Sequence, residues 1–500
     1  VAGVTVGHAT LAAGDIQTGV TAIVPPGDNL FTAPLPCGAA VLNGFAKPVG
    51  LVQVAELGLL QTPILLSNTL VVGTLFTTLV REAIARNPEL GRTLPTVNTL
   101  ALECNDGWLN DIQALAVTEE VARQALSQAS EQIARGSVGA GRGMSCFGLK
   151  GGIGSASRRC SSLNATLGVL VLANFGTLSS LTLDGVQLGA AVAPLLPELA
   201  PQQDAGSVIV IMATDAPLDG CQLSRIARRA GAGLGRIGSY WGHGSGDIAL
   251  AFSTDPLPRP PADDALEPLL AAAADATEHV VVDALLSATP VTGFRGHHRP
   301  ALRLLQGKPR PLSMAEGLQQ QPFDGMMFIG YHSAAGEFGV LAHTINGRAF
   351  YRVTNNGEVM AESDIYAALG AELKTPLWLV SGDDMLQRWI ARYYPFAGYA
   401  CVKRAISQNA AESLSPAQAQ AVIRQAAERA VREGGDTLAS RIAPPYRLEV
   451  MVARPALKDL FCLVPGVGRS DALTVHYTRE DMASLVGLLS AFSVLATGQG

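Results

Sequence analysis

The chain has 500 residues, 48% of them hydrophobic and 16% charged, with 53 glycines and a formal net charge of −6. That length exceeds one ordinary core, so two or three domains are expected, and the sparse charge excludes a disordered chain. The mild acidity without a long basic run excludes a nucleic-acid partner, and no apolar stretch is long enough to cross a bilayer, which excludes a membrane partner.

Residues 1–115 read as short strands between Gly/Pro turns, with Thr21–Val24 closed by Pro25-Pro26-Gly27. Helical patterns follow over Val71–Ala85, ended near Asn87-Pro88, and over Val117–Arg135, rich in Ala, Glu and Gln. Gly136–Gly154 is too glycine-rich for regular helix. Leu167–Ala173, Val208–Ala213 and Ile248–Ser253 are strand patterns, while Gln222–Ala232 and Ala265–Ser287 are helical. Thr289–Pro311 reads as a linker. Beyond a boundary near residue 307, Gly325–Gly330 and Pro376–Val380 are strand candidates and Pro416–Glu433 an Ala-rich helix. Strands and helices are interspersed without regular alternation, so a layered α/β sandwich is expected. The seven cysteines lack Cys-x-x-Cys spacing, which indicates neither a zinc knuckle nor a disulfide framework and makes a reducing cytoplasm the expected location.

One dipeptide carries a chemical possibility. Gly206-Ser207 stands directly before the apolar run Val208-Ile209-Val210-Ile211. Cutting that peptide bond would give Ser207 a free α-amine, which is partly neutral near pH 7 and can take the proton of its own hydroxyl. A strand behind it would hold the attacking oxygen in place. On its own, Gly-Ser is more often a plain turn.

The surrounding motifs are more specific. Val4-Thr5-Val6-Gly7-His8, Leu65-Leu66-Ser67-Asn68-Thr69-Leu70 and Asn105-Asp106-Gly107-Trp108-Leu109-Asn110-Asp111-Ile112 come in order. They are followed by Gly148-Leu149-Lys150-Gly151-Gly152-Ile153-Gly154, Gly206-Ser207, Ala213-Thr214-Asp215-Ala216-Pro217 and Gly244-Ser245-Gly246-Asp247-Ile248. Over residues 1–300 the chain thereby resembles the self-processing family of L-aminopeptidase/D-amidase/esterases and β-peptidyl aminopeptidases. The resemblance implies a four-layer αββα sandwich of N-terminal-nucleophile type and cleavage between Gly206 and Ser207. It gives Ser207 the role of nucleophile and Ser245 that of a contact to the new α-amine. Asp247 becomes the acidic position beside that amine, and Asn174 the oxyanion-stabilising amide. It also implies hydrolysis of short peptides, amino-acid amides or esters of L, D or β type, with no cofactor at Ser207, by a homo-oligomer. The family's aromatic hydroxyl near the oxyanion has no tyrosine here; the matching stretch holds Asn105 and Trp108.

Other features are read as structural. Gly233-x-Gly235-x-x-Gly238 has the spacing of a dinucleotide loop, but a helix precedes it where a strand is required. Lys150 and Arg158 could meet a substrate carboxylate, though solvated charge is the simpler expectation. His243 is expected to line a pocket or the surface, and Cys104, Cys146 and Cys160 to be small buried residues.

The second half carries Pro311-Leu312-Ser313-Met314-Ala315-Glu316-Gly317, Gly330-Tyr331-His332, Ala342-His343-Thr344, Leu379-Val380-Ser381-Gly382-Asp383-Asp384 and Leu414-Ser415-Pro416. Over residues 307–500 it resembles the zinc D-aminopeptidases of dipeptide transport operons. That resemblance makes His332 and Glu362 metal ligands and His343 a catalytic histidine, with zinc as the implied ion. The family's opening Asp-x-Glu-Gly does not occur in this chain, so a partial α/β domain is expected. It could draw further ligands from His297 and His298, from another chain, or bind no metal. Three readings stand: a Ser207 aminopeptidase, a zinc D-aminopeptidase acting through the second half, and a non-catalytic assembly protein.

Overall fold

The computed structural model describes residues 1–183, 185, 187–193, 206–302, 310–320, 323–438 and 440–497. The Asp204-Ala205 pair ahead of Gly206 and the boundary near 307 lie outside the described residues. The chain divides into two compact units, Val1–Leu304 and Leu305–Gly500.

The first unit is built of four layers. Thr5–Ala13, Ile16–Val24, Ile64–Asn68 and Leu100–Cys104 form one sheet in that order. In the second sheet the order runs Leu59–Leu60, Leu35–Gly44, Gly246–Ser253, Ser207–Thr214, Ala165–Asn174, Gly152–Cys160. Between the sheets Ile23, Leu66 and Leu102 meet Ile209, Ile211, Ile248 and Leu250. Outside the first sheet, Val72, Leu75 and Leu79 of helix Val72–Arg86 and Ala122 and Ala125 of helix Glu119–Ser127 pack on Val20, Ala22, Leu65 and Ala101. On the far face of the second sheet, Leu223 and Ile226 of helix Gly220–Arg228 and Ala273, Val280 and Ala284 of helix Glu267–Ser287 cover Val208, Val210, Ala249 and Ala251. The αββα expectation therefore holds. Within the Ser207–Thr214 strand, Val208 through Ala213 is apolar without interruption because both faces are buried, even residues toward the helices and odd ones toward the other sheet.

Three local expectations change. The helix expected over Val117–Arg135 ends at Ser127. Its continuation pairs with the first strand instead, through Ser130 N to Val6 O at 3.1 Å and Val6 N to Ser130 O at 2.9 Å. The helix expected over Gln222–Ala232 is two, Gly220–Arg228 and Ala230–Arg236, and Gly233 and Gly235 lie inside the second. The expected linker from Thr289 is part of the first unit as far as Arg299, because Val291–Thr292 pairs with His298–Arg299 and Phe294 N donates to Leu109 O at 2.8 Å.

The second unit is α/β. One sheet runs Met326–Phe328, Leu377–Asp383, Gly398–Ser407, Ala410–Ser413, and a five-stranded sheet is centred on Tyr446–Val452. Helices Glu362–Glu372 and Met482–Thr497 supply much of the core, including Tyr366, Leu369, Leu485 and Phe492. Among the described residues no helix is long and apolar enough to cross a membrane.

Candidate active site

Ser207 is the first residue of a central strand, and its two neighbours in the sheet bring the other candidates to it. On one side it pairs antiparallel with Asn174, the last residue of Ala165–Asn174. Directly opposed residues in a sheet share a face, about 5 Å apart. On the other side it pairs in parallel with Gly246. Ser245 and Asp247 flank that glycine, and Ser245 Oγ donates to Asp247 Oδ1 at 2.7 Å in a fully buried pair. The ladder to Leu35–Gly44 shifts register between Asp247 and Ile248, which re-aims side chains at this end of the strand.

The Gly246 N–H stands at the proposed cleavage point. It reaches the Gly206 carbonyl oxygen at 3.2 Å and Ser207 Oγ at 3.3 Å. A Cβ on Gly206 would stand 2.1 Å from Asn174 O and 2.7 Å from Phe175 Cα. Backbone fills that space, so glycine alone fits before Ser207.

The Asn174 amide is held at both ends. Its Oδ1 accepts from Ser145 N at 2.8 Å, and its Nδ2 donates to Asn105 O at 2.9 Å. An amide nitrogen carries two hydrogens, and the Asn105 bond uses one. Asn105 and Trp108 line the same cleft as Asn174 and Gly206. The cleft has a volume of about 630 Å³.

Lys150 is not a solvated charge. It is fully buried, and its Nζ donates to Gly141 O, Met144 O and Gly151 O at 2.8, 2.9 and 2.9 Å. Burial pushes its pKa well down, while three carbonyls match the three hydrogens of an ammonium. Its position braces the glycine-rich turn that carries Ser145. Arg158 is half-buried against His279, and His243 is exposed near Phe45 with ring centroids 6.3 Å apart. The Cys104 thiol lies under the nucleophile, 3.4 Å from Ser207 O. Burial pushes its pKa well up, so it stays a protonated thiol, not a nucleophile.

Three contributors carried no sequence signal. The Gly246 donor is a backbone amide. Asn43 fixes the loop before Ser245 by donating from Nδ2 to Gly242 O at 2.9 Å and to Ser245 O. Arg299 lines the cleft from within the segment expected to be a linker.

In the second unit His332, His343 and Glu362 do line one cavity, of about 220 Å³, with Tyr331 and Tyr366. The imidazole centroids are 4.9 Å apart, and His343 Nε2 is 3.6 Å from Glu362 Oε1. Glu362 Oε1 also accepts from Ile345 N at 2.5 Å. Burial, and then the neighbouring His343, lower the pKa of His332. The donor types suit zinc, but among the described residues no group of three His, Cys, Asp or Glu could hold a metal ion. A catalytic zinc normally has three protein ligands, so the residues present do not complete a site. His297 and His298 are engaged in the first unit: His297 stacks on Trp108 at 3.9 Å, and His298 Nδ1 is 2.9 Å from Thr292 Oγ1.

Comparison with known proteins matches this division. β-Peptidyl aminopeptidase BapA of Sphingosinicella microcystinivorans is 36% identical over 337 residues, covering 59% of this chain and 83% of the relative. A solved structure of L-aminopeptidase D-Ala-esterase/amidase from Ochrobactrum anthropi is 32% identical, with a TM-score of 0.55, over 60% of this chain and 89% of that one. That protein is described as a prototype for the serine aminopeptidases and a new variant of the Ntn hydrolase fold. The D-aminopeptidase of Bacillus subtilis is 28% identical over 202 residues, covering 39% of this chain and 72% of the relative. Residues 271–491 match the D-aminopeptidase family M55, and residues 1–299 match peptidase family S58. Matched over more than half its length, the chain belongs to peptidase family S58.

Proposed function

We propose that this aminopeptidase cuts its own Gly206–Ser207 bond and then hydrolyses short peptides, amides or esters through an acyl-enzyme on the freed Ser207. The shared Gly246 N–H is the observation that carries the reading, since one donor lies against both the attacking oxygen and the carbonyl oxygen it would charge. In the first step Ser207 Oγ bonds to the Gly206 carbonyl carbon. The C–N bond to Ser207 then breaks, and the hydroxyl proton ends on the departing nitrogen. Water hydrolyses the resulting ester, leaving a Gly206 carboxylate and a Ser207 α-amine.

That amine then takes the hydroxyl proton in each turnover, directly or through water. Ser207 Oγ attacks the substrate carbonyl, and Asn174 Nδ2 donates to the oxygen that becomes negative. The leaving amine accepts the proton, and water releases the acyl group. Ser245 and Asp247 serve the amine side: the hydroxyl contacts the Ser207 amine, and the carboxylate attracts the ammonium of the substrate. This restricts cleavage to the N-terminal residue.

N-terminal sequencing of purified protein should find a chain beginning Ser207-Val208-Ile209. Gly206→Ala should slow its appearance about a hundredfold, because the scissile carbonyl is displaced from Gly246 by roughly an ångström. A single intact chain with full peptidase activity would sink the reading. The amine requirement has its own test: N-acetylating a good substrate should remove most turnover, and equal rates on capped and free peptides would exclude that role for Asp247 and Ser245.

A second reading places D-aminopeptidase activity in the second unit, where His332 and Glu362 would be two ligands of a zinc ion that needs at least one more ligand from outside the described residues, and His343 would be the neighbouring proton carrier. It is favoured by the cavity that gathers these three side chains and by the match over residues 271–491.

A further inference from the structure

We propose that Lys150 is a positioning residue for turnover: its side chain sets the direction of the Ser145 N–H, and through it the roll of the Asn174 amide that faces the oxyanion. The proposal rests on Ser207 as the nucleophile and Asn174 as the oxyanion donor.

The path from Lys150 to Asn174 is short and rigid. Lys150 Nζ donates to Met144 O at 2.9 Å. That carbonyl and the Ser145 N–H belong to one peptide unit, which is planar, so holding the oxygen aims the hydrogen. Ser145 N in turn donates to Asn174 Oδ1 at 2.8 Å. The side-chain amide is planar as well. Its Oδ1 is tied to Ser145, and one hydrogen of Nδ2 is tied to Asn105 O at 2.9 Å. The direction of the second hydrogen is thereby determined. One peptide plane and one amide plane connect a buried lysine to the donor at the reacting carbonyl. Hydrogen bonds in such a chain also polarise one another in the same sense, which makes Asn174 Nδ2 the stronger donor.

The lysine is more than the turn needs for its own satisfaction. Its Nζ also reaches Gly141 O at 2.8 Å and Gly151 O at 2.9 Å. Three acceptors call for three hydrogens, which the amine has only as the ammonium. Yet Gly141 O already accepts from Met144 N at 3.3 Å, and Met144 O from Gly151 N at 3.0 Å. Ser145–Cys146 and Leu149–Lys150 are paired as a short hairpin by backbone alone. The buried charge therefore adds rigidity at the one peptide that carries the Ser145 N–H, and Met144 and Lys150 are both fully buried.

The test is a double-mutant cycle on self-cleaved protein, read with an alanyl p-nitroanilide. Lys150→Met keeps nearly the same side-chain length and removes all three donors. Its kcat should fall about ten- to hundredfold, a part of what losing an oxyanion donor outright costs, with KM within about twofold of wild type. In an Asn174→Ala background the same substitution should change kcat by less than about twofold, because the donor it positions is gone. Lys150→Gln, which keeps a polar donor in the turn, carries the same cycle where the methionine variant does not mature. Equal fold-losses in the two backgrounds would make Lys150 a general brace and overturn the proposal. So would an unchanged kcat in Lys150→Met, or failure of both variants to cut themselves. Anilide turnover that survives Ser207→Ala would instead overturn the nucleophile, and wild-type kcat in Asn174→Ala the donor. Both of those failures are read without any Lys150 variant, so they are distinguishable from failure of the proposal.

Discussion

Ser207→Ala is expected to remain a single uncut chain and to lose hydrolysis by about 10⁴-fold or more, because one hydroxyl attacks in both reactions. Stability should barely change. The side chain is small, and the strand ladder to Asn174 and Gly246 is made by backbone. Ser207→Cys should still cut itself, since a thiol is a competent nucleophile. The same variant separates the two units chemically. Ser207 chemistry needs no Lewis acid, so a strong chelator should leave wild-type anilide turnover intact. If Ser207→Ala protein binds zinc stoichiometrically and hydrolyses D-aminoacyl substrates when zinc is added, the second reading gains that activity. If uncut Ser207→Ala keeps wild-type turnover without metal, the nucleophile is elsewhere.

What was legible before the structure follows the kind of signal each residue sends. The strand from Ser207 announced itself because burial on both faces leaves an unbroken apolar run, Val208 through Ala213. Asn174, Ser245 and Asp247 were reachable because they are side chains within recognisable motifs, and the sheet does bring their positions next to Ser207. The Gly246 amide was not legible, since every residue except proline has one and only strand register aims it. Lys150 misled for a related reason. Lysine is usually solvated, and the three carbonyls that bury it come from residues 141, 144 and 151, fixed by a turn with no helical or strand period. Arg299 sat in a Gly-, His- and Pro-containing segment that reads as a linker. The two-residue pairing Val291–Thr292 with His298–Arg299 is too short to leave a pattern. The helix expected through Arg135 failed because the bridge between Val6 and Ser130 outweighed an Ala-, Glu- and Gln-rich composition.

Asn174→Ala should cut kcat for substrate hydrolysis by about 10²–10³-fold while self-cleavage persists with a much smaller loss. The size is that of removing one oxyanion donor. The asymmetry follows from two different donors. Cleavage of Gly206–Ser207 charges an oxygen already held by Gly246 N–H, whereas substrate would present its carbonyl from the cleft that Asn174 lines. The variant also strips Ser145 N of its acceptor and Asn105 O of its donor; Ser145 is half-buried and Asn105 exposed, so water can replace part of both bonds and the structural loss should be about 1 kcal/mol. A thermal melt records that structural part. Asn174→Asp separates the two further: it still accepts from Ser145 N, yet it places a negative charge against the developing oxyanion. Its kcat should therefore fall at least as far as that of Asn174→Ala, with a smaller drop in melting temperature at Ser145. Band-shift time courses on denaturing gels read self-cleavage, and steady-state kinetics on the mature protein read turnover. Equal losses in both reactions would mean that a single oxyanion site serves them, and Gly246 would lose its separate role. An unchanged kcat in both variants would remove Asn174 from the chemistry and leave it as the brace between Ser145 and Asn105.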